Sequence, residues 1–373
     1  MVKKAGILAT PGVAKNSADG LHDTLSNLLS THFDSSVNWE VDIIEEASPG
    51  AAINFKDLYS TTERYVKKHK WSYVIALTDL PIFDGKKVVA IDINKDNGAI
   101  LISISAFGWG PIRKRMKHAI LTAIDEVNNL NNDPAQRTNK HFNSKMFQQK
   151  SSPIFARRTD EYIKATETNH IRYIIAPSFG GKLQLVTGMT RANNPFNMMK
   201  SLTSSIALSF TTGAFGMVFT TMWQLSYTFS ELRLTVLSLA SIFAMVVWII
   251  LAHNLWETAS SKKEKHVAIL YNSTTVVTLF ISVLTYYMTL FVLFLITCLT
   301  IIPPDFLGKT LGLSGAASFL QFVEIAWLAA SIATVAGAIG VGLTNEKLVK
   351  ESTFGHRQQN RYKLIYKNKS NKD

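Results

Sequence analysis

Residues 274–302, TTVVTLFISVLTYYMTLFVLFLITCLTII, decide the fold. A helix that crosses a hydrocarbon core about 30 Å thick needs ~20 mainly apolar residues, because each residue adds ~1.5 Å of rise. This stretch is longer than that, and its apolar character reaches back to Val267. Two short crossings would require a turn near Tyr286 and Tyr287, where no Gly, Pro or Asn stands. The backbone of such a turn would also go unpaired in lipid. One long helix, tilted or projecting from the bilayer, is expected.

Three further stretches qualify on either side of it: 202–223, 234–255 and 319–343, none with a charge at its centre. The chain is therefore expected to carry an all-α four-helix transmembrane bundle over 201–343. Its single cysteine, Cys298, lies inside an apolar run, which excludes an intrachain disulfide and a cysteine zinc cluster. The formal charge of +12 would suit nucleic acid, anionic lipid or membrane topology. Its location selects topology: Lys262, Lys263 and Lys265 follow the second span, and Lys347, Lys350, Arg357, Arg361, Lys363, Lys367, Lys369 and Lys372 crowd the tail. The other two connectors carry only Arg233 and Lys309. By the positive-inside rule both termini are cytosolic, the protein resides in the cytoplasmic membrane, and no nucleic-acid partner is expected. The opening Met-Val-Lys-Lys-Ala-Gly-Ile-Leu is too short an apolar run for a signal peptide, in keeping with a cytosolic N-terminus.

Small residues recur at helical spacing in the first span (Ser205, Ser209, Gly213, Gly216) and in the last (Ala326, Ala330, Ala333, Gly337, Gly340), so these two helices are expected to touch. The same stripes would also serve a homo-oligomer seam. Glu324, with Gln321 near it, is the one acid placed in a span. It is either an interfacial anchor or part of a transport path. His253 and Asn254 end the second span as a helix terminus rather than a metal site.

The N-terminal part reads as a cytosolic α/β domain over 1–130, a mixed sheet with hairpins. Strands are expected at 5–9, 39–45 and 73–78, and helices at 22–32 and 57–69. A hairpin over 86–107 turns at Asp96-Asn97-Gly98 in type I′ geometry. The helix from Pro111 to Asn129 buries Met116, Ile120, Ala123, Ile124 and Val127. Residues 131–200 are a linker, rich in Asn, Gln, Lys and Ser to 160, then a second hairpin, 171–176 with 182–190, around Gly180-Gly181. A basic cytosolic tail occupies 344–373.

Ligands of open α/β sheets bind beyond the carboxyl ends of the strands. That rule points to Thr10, Pro11 and Gly12 after the first strand, Glu46 with Glu45 after the second, and Thr78, Asp79 and nearby Asp84 after the third. The plain alternative is turn chemistry. Arg113, Lys114, Arg115 and Lys117 load the first turns of a helix, where positive charge opposes the dipole. They are candidates for contact with lipid phosphate or another anion, against the alternative of a solvated face. Gly-x-Gly-x-x-Gly, Walker, His-Glu-x-x-His and Gly-x-Ser-x-Gly motifs are all missing. No catalytic residue, cofactor or metal is assigned.

The stretches Thr190-Arg191-Ala192-Asn193-Asn194-Pro195, Ile249-Ile250-Leu251-Ala252-His253-Asn254-Leu255-Trp256-Glu257 and Tyr271-Asn272 resemble an uncharacterised family of Gram-positive bacterial membrane proteins. That resemblance covers most of the chain and implies a multi-pass membrane protein with no catalytic residues to carry over. The element order up to Phe107 also resembles a zinc-peptidase fold of the archaemetzincin kind. His118 stands alone where that fold would place its zinc helix, so the resemblance implies a non-catalytic relative. The leading expectation is a non-enzymatic sensor or scaffold anchored in the bilayer, with a protein partner or a second copy of itself. A transporter or channel subunit and a membrane-anchored enzyme are the alternatives.

Overall fold

The computed structural model of the chain describes residues 2–33, 38–47, 55–84, 87–131, 156–163, 167–196, 198, 202–258 and 262–341. The expected basic tail, linker residues 132–155 and the hairpin's first residue, Lys86, lie outside them, as do the side chains of Lys262 and Lys263. The described residues form two compact units. The first draws on Met1–Ala192 and Ser260–Leu270, the second on Asn193–Ala259 and Tyr271–Thr353.

The first unit is built on an eight-stranded mixed sheet: β1 (Val2–Ala9), β2 (Asn38–Glu45), β3 (Tyr73–Thr78), β4 (Ile82–Asp84), β5 (Lys87–Asn94), β6 (Ile100–Ser103), β7 (Ala156–Ile163) and β8 (Thr168–Ile175). The strand order is β2-β1-β3-β6-β5-β8-β7, with β4 on β5. β2, β1, β3 and β6 run parallel, whereas β6, β5, β8 and β7 are antiparallel neighbours. Parallel neighbours need crossover connections. α1 (Val13–Asp19) and α2 (His22–His32) supply one, and α3 (Phe55–His69) the next. β1 and β3 are buried almost throughout, as strands covered on both faces must be. Gly6 on β1 is required by packing: a Cβ there would fall 1.9 Å from the ring of Trp71. α4 (Ile112–Asn131) buries Met116, Ile120, Ala123, Ile124 and Val127, the stripe its periodicity specifies.

Two expectations for this unit are corrected. The turn between β5 and β6 is not type I′, since only Gly98 has positive φ, at +67°. The Asn94 carboxamide oxygen instead accepts from the Asp96 amide at 2.8 Å, and the Asn97 oxygen accepts from the Ala99 amide at 3.0 Å. Those side-chain bonds hold the turn without a left-handed Asn97. β6 then ends at Ser103, and Ile104–Phe107 is a 3₁₀ turn. The hairpin expected around Gly180-Gly181 is absent as well. β7 and β8 pair instead, and α5 (Phe179–Asn193) occupies that stretch. Its near-alternating apolar residues mimic a strand. Gly181 serves close packing rather than a turn, because a Cβ there would lie 2.1 Å from the Ala176 carbonyl oxygen, and Gly188 packs on the Ser105 carbonyl in the same way.

The second unit is helical: α6 (Thr203–Gly216), α7 (Thr220–Thr228), α8 (Glu231–Ala252), the long α9 (Lys262–Ile301, continuous from the first unit), α10 (Pro304–Thr310) and α11 (Phe319–Val341). Among the described residues three helices are long and apolar enough to cross a membrane: Glu231–Ala252, Lys265–Ile301 and Phe319–Gly340. α9 runs 40 residues without a break at Tyr286 and Tyr287. The stretch 202–223, expected as one helix, is instead α6 and α7 bent by 93°. The chain leaves the helix after Gly216 and becomes extended at Phe219, and Trp223 Nε1 donates at 2.9 Å to the Met217 carbonyl near that break. α6 and α11 touch through their small residues. A Cβ on Gly213 would meet Ala333 at 3.1 Å, and one on Gly337 would meet Ser209 Oγ at 2.2 Å. Large apolar side chains also face outward, among them Leu232, Val236, Phe243, Val247 and Leu251 of α8.

Candidate functional site

A buried polar cluster in the sheet was not singled out by sequence, apart from Asp84 at its rim. β5 carries Asp92, and β8 carries His170 and Arg172 two residues apart, so both project from the same face of β8. Asp92, His170 and Arg172 are fully buried. Arg172 Nε donates to Asp92 Oδ1 at 2.9 Å, and Tyr59 of α3 donates its hydroxyl to Asp92 Oδ2 at 2.6 Å. His170 Nδ1 lies 3.0 Å from Asp92 Oδ1, and its Nε2 lies 2.7 Å from the Thr168 hydroxyl. Arg172 also donates to Asp84 of β4 at 2.5 Å and approaches Glu161 of β7 at 3.5 Å. One guanidinium thereby ties β4, β5 and β7 to β8.

Burial would raise the Asp92 carboxyl, but the His170 hydrogen bond and the Arg172 charge outweigh it and hold it below the ordinary carboxylate value. Burial, then the Asp92 charge, pushes the Tyr59 hydroxyl well above its usual range. Burial works against the Arg172 cation, yet Asp92 and Asp84 keep it firmly protonated. The result is a compensated ionic clasp, with a carboxylate that already holds three protein partners. A catalytic carboxylate needs a free lone pair facing substrate, and these bonds leave Asp92 little capacity for one.

The strand-end candidates are divided. Thr10, Thr78 and Asp79 are buried together, with Thr10 donating to Asp79 Oδ1 at 3.1 Å. The Thr78 hydroxyl accepts from the Leu80 amide at 3.1 Å. Pro11 and Gly12 form the turn into α1, where Gly12 has φ +93°. Glu46 accepts from the Tyr65 hydroxyl at 2.8 Å, and Asp84 belongs to the Arg172 clasp. An open groove of about 680 Å³ lies elsewhere, along edge strand β2, and is lined by Asp19, His22, Asp23, Asp42 and His69 among others. None of the strand-end candidates lines it.

The four cations of α4 do not act as one patch. Arg113 packs on Gly20, and Arg115 turns back to donate to the Phe107 carbonyl. Lys114 stays exposed and Lys117 half-exposed. Burial, reinforced by Lys117 and Lys114, holds His118 below the ordinary imidazole value. Arg191 of α5 donates to the Trp109 and Gly110 carbonyls and so joins α5 to the loop before α4.

The helical unit has two hydroxyl clusters on adjacent residues of α9. Tyr286 contacts Ser209 Oγ of α6 at 2.6 Å, and Ser205 of α6 donates to the Gly337 carbonyl of α11 at 2.8 Å. Tyr287 contacts Ser238 of α8 at 2.9 Å and Ser331 of α11 at 3.0 Å, while Trp327 Nε1 donates to Ser238 at 2.6 Å. Gln321 has a local role: its Oε1 accepts from the amide and hydroxyl of Ser318, capping α11. Glu324 is half-buried, and its Oε2 is buried with no hydrogen-bond partner among the described residues.

No group of three or more His, Cys, Asp or Glu side chains able to hold a metal occurs among the described residues. No protein-family model, curated protein or solved structure matches the chain. Sequence reading missed Asp92, His170 and Arg172, although a signal was present. Asp92 interrupts the apolar run Val88-Val89-Ala90-Ile91, and His170-Ile171-Arg172 alternates in a strand.

Proposed function

We propose that the chain is a multi-pass integral membrane protein with four crossings and both termini cytosolic. In this reading the α/β unit is a non-enzymatic sensor or scaffold held at the bilayer by the helical unit. The observation that carries it is the surface of α8: Leu232, Val236, Phe243, Val247 and Leu251 face outward while Ile242, Met245, Val246 and Ile249 fill the core. A helix apolar all round is stable only inside protein or lipid. α6 supplies a short first crossing, accommodated by bilayer thinning, and α7 turns to lie along the interface. A non-enzymatic role is supported by the hydrogen bonds that tie Thr10 to Asp79 at the strand ends and Asp92 to Arg172, His170 and Tyr59 in the clasp.

Labelling of cysteines introduced singly near residue 2, in the 313–316 loop and near residue 370 tests the topology. The first and last should react from the cytosolic side only, and the loop from the opposite side only. Reaction of the two termini from opposite sides would overturn the four-crossing reading. Thermal melting of the purified full chain with nucleotides, flavins and divalent metals tests the non-enzymatic reading, which requires no stabilisation by any of them.

A second reading, a transporter or channel subunit, draws on the unpartnered Glu324 oxygen. Proton- or ion-coupled uptake into vesicles that Glu324→Gln abolishes would favour it.

A further inference from the structure

The surface formed by α5 and the loop before α4 combines exposed aromatic and aliphatic groups with cations that make no ion pair among the described residues. Phe179 is 83% exposed, Leu183 53% and Trp109 43%. Phe179 and Leu183 are four residues apart and therefore neighbours on one flank of α5. Trp109 is fixed beside the same helix, because Arg191 donates to its carbonyl and Gln184 donates to the Ala106 carbonyl at 2.7 Å. Lys182 and Lys114 are exposed, and Arg191 and Arg115 are half-buried. No acidic residue occurs between 97 and 124 or between 168 and 230, so no carboxylate on this loop, on α5 or in the first turns of α4 offsets the charge.

Leaving Trp, Phe and Leu in water beside cations is costly unless a surface takes up both. A phospholipid interface does so, because aromatic rings settle at the headgroup level and each nearby Lys or Arg is attracted to anionic lipid. We infer that Trp109, Phe179 and Leu183, flanked by Lys114, Lys182 and Arg191, seat the α/β unit on an anionic phospholipid surface. Chain connectivity favours this occupant. α5 ends at Asn193 and α6 begins at Thr203, and the intervening residues reach at most ~30 Å. The inference rests on the membrane reading above and names the partner of its cytosolic face.

The test uses the full chain, in which Cys298 is buried, with a fluorophore on a cysteine introduced at one position and the protein reconstituted into bilayers. Probes at Phe179 and Leu183 should be quenched by lipids brominated near the headgroup. A probe at Tyr162, exposed on edge strand β7, should not. Quenching should rise when phosphatidylglycerol joins phosphatidylcholine in equal amount, and Lys114→Glu with Lys182→Glu should cut that rise about twofold or more. A probe at Val247 on α8 separates the possible failures, since the membrane reading requires its quenching by lipids brominated near the chain ends. If Val247 is quenched while Phe179 and Leu183 stay at the level of Tyr162, the seating surface is wrong and the membrane reading stands. If Val247 is not quenched, both fall. Quenching at Phe179 and Leu183 that ignores phosphatidylglycerol overturns the anionic assignment. Cys298→Ala provides a second background that excludes labelling of the native thiol.

Discussion

Asp92 and Arg172 in the sheet, and Tyr286 and Tyr287 in the helical unit, place polar groups in apolar cores by opposite chemistry. The sheet buries full charges. Asp92 is held by Arg172, His170 and Tyr59, and the clasp reaches half-exposed Asp84, so opposite charges compensate each other. The helical unit buries neutral hydroxyls that share alternative acceptors: Ser238 also donates to the Leu234 carbonyl of its own helix at 2.8 Å, and Tyr286 and Tyr287 also reach the Ser205 and Trp327 carbonyls of neighbouring helices at 3.3 and 3.4 Å. A desolvated charge that loses its partner is far costlier than a hydroxyl that loses one. The sheet therefore depends on its pairs remaining complete, whereas the helices tolerate the loss of any single bond.

The largest effect expected from that contrast follows Arg172→Met, which strands Asp92 and should cost about 3–5 kcal/mol. Hydrogen exchange of the β5 and β8 amides in the full chain would report it. Adding Asp92→Leu should recover part of the loss, because it removes the uncompensated charge but also takes away the acceptor of Tyr59 and His170. The clasp also sets an acid limit. With the Asp92 pKa held below its ordinary value of 3.8, its contribution is complete above that value and fades as pH falls through the folded-state pKa. β5 and β8 protection should decline in that window in the wild type, and Asp92→Asn should lessen the dependence, leaving the part due to Asp160 on β7, whose carboxyl its Lys95 hydrogen bond and the Arg158 charge also hold low.

A smaller effect is expected from Gly337→Val, whose Cβ would lie 2.1 Å from the Tyr286 hydroxyl. Overpacking of about 1–3 kcal/mol should appear as a lower melting point in detergent and faster proteolysis between α6 and α8, with β5 and β8 exchange unchanged. The smallest should follow Tyr286→Phe or Tyr287→Phe, about 0.6 kcal/mol each and at most ~1.7. A tyrosine loss as large as that of Arg172→Met would break the contrast between charged and hydroxyl cores.

Much of the sheet was legible where one period dominated: the helices 22–32 and 57–69 and the buried stripe of α4 appear close to their expected places. α5 was misread because its short apolar run carries a strand-like alternation beside Gly180-Gly181, and local pattern cannot separate a turning glycine from Gly181, packed on the Ala176 carbonyl. The bend after Gly216 was hidden for a related reason. Hydropathy averages over about 20 residues and does not register where a helix stops. Of the candidate residues, Asp84 was found for its strand-end position, but its partner Arg172 lies 88 residues away on a strand that sequence paired with 182–190 rather than with β5 and β7. Gln321 was read as intramembrane polarity because the capping bond to Ser318 is a matter of side-chain direction.

By itself the sequence determined what period and composition encode: an α/β unit ahead of an apolar helical one, the unbroken α9, and the contact of α6 with α11 through small residues. These are properties of neighbours along the chain, where rise per residue and side-chain alternation fix geometry. Only the tertiary structure decided the pairing of β7 with β8, the right-angle turn into α7, and the meeting of Asp92, His170, Arg172 and Tyr59. Such contacts join residues far apart in sequence, and the burial that makes a charge or hydroxyl seek a partner exists only once the chain has closed around it.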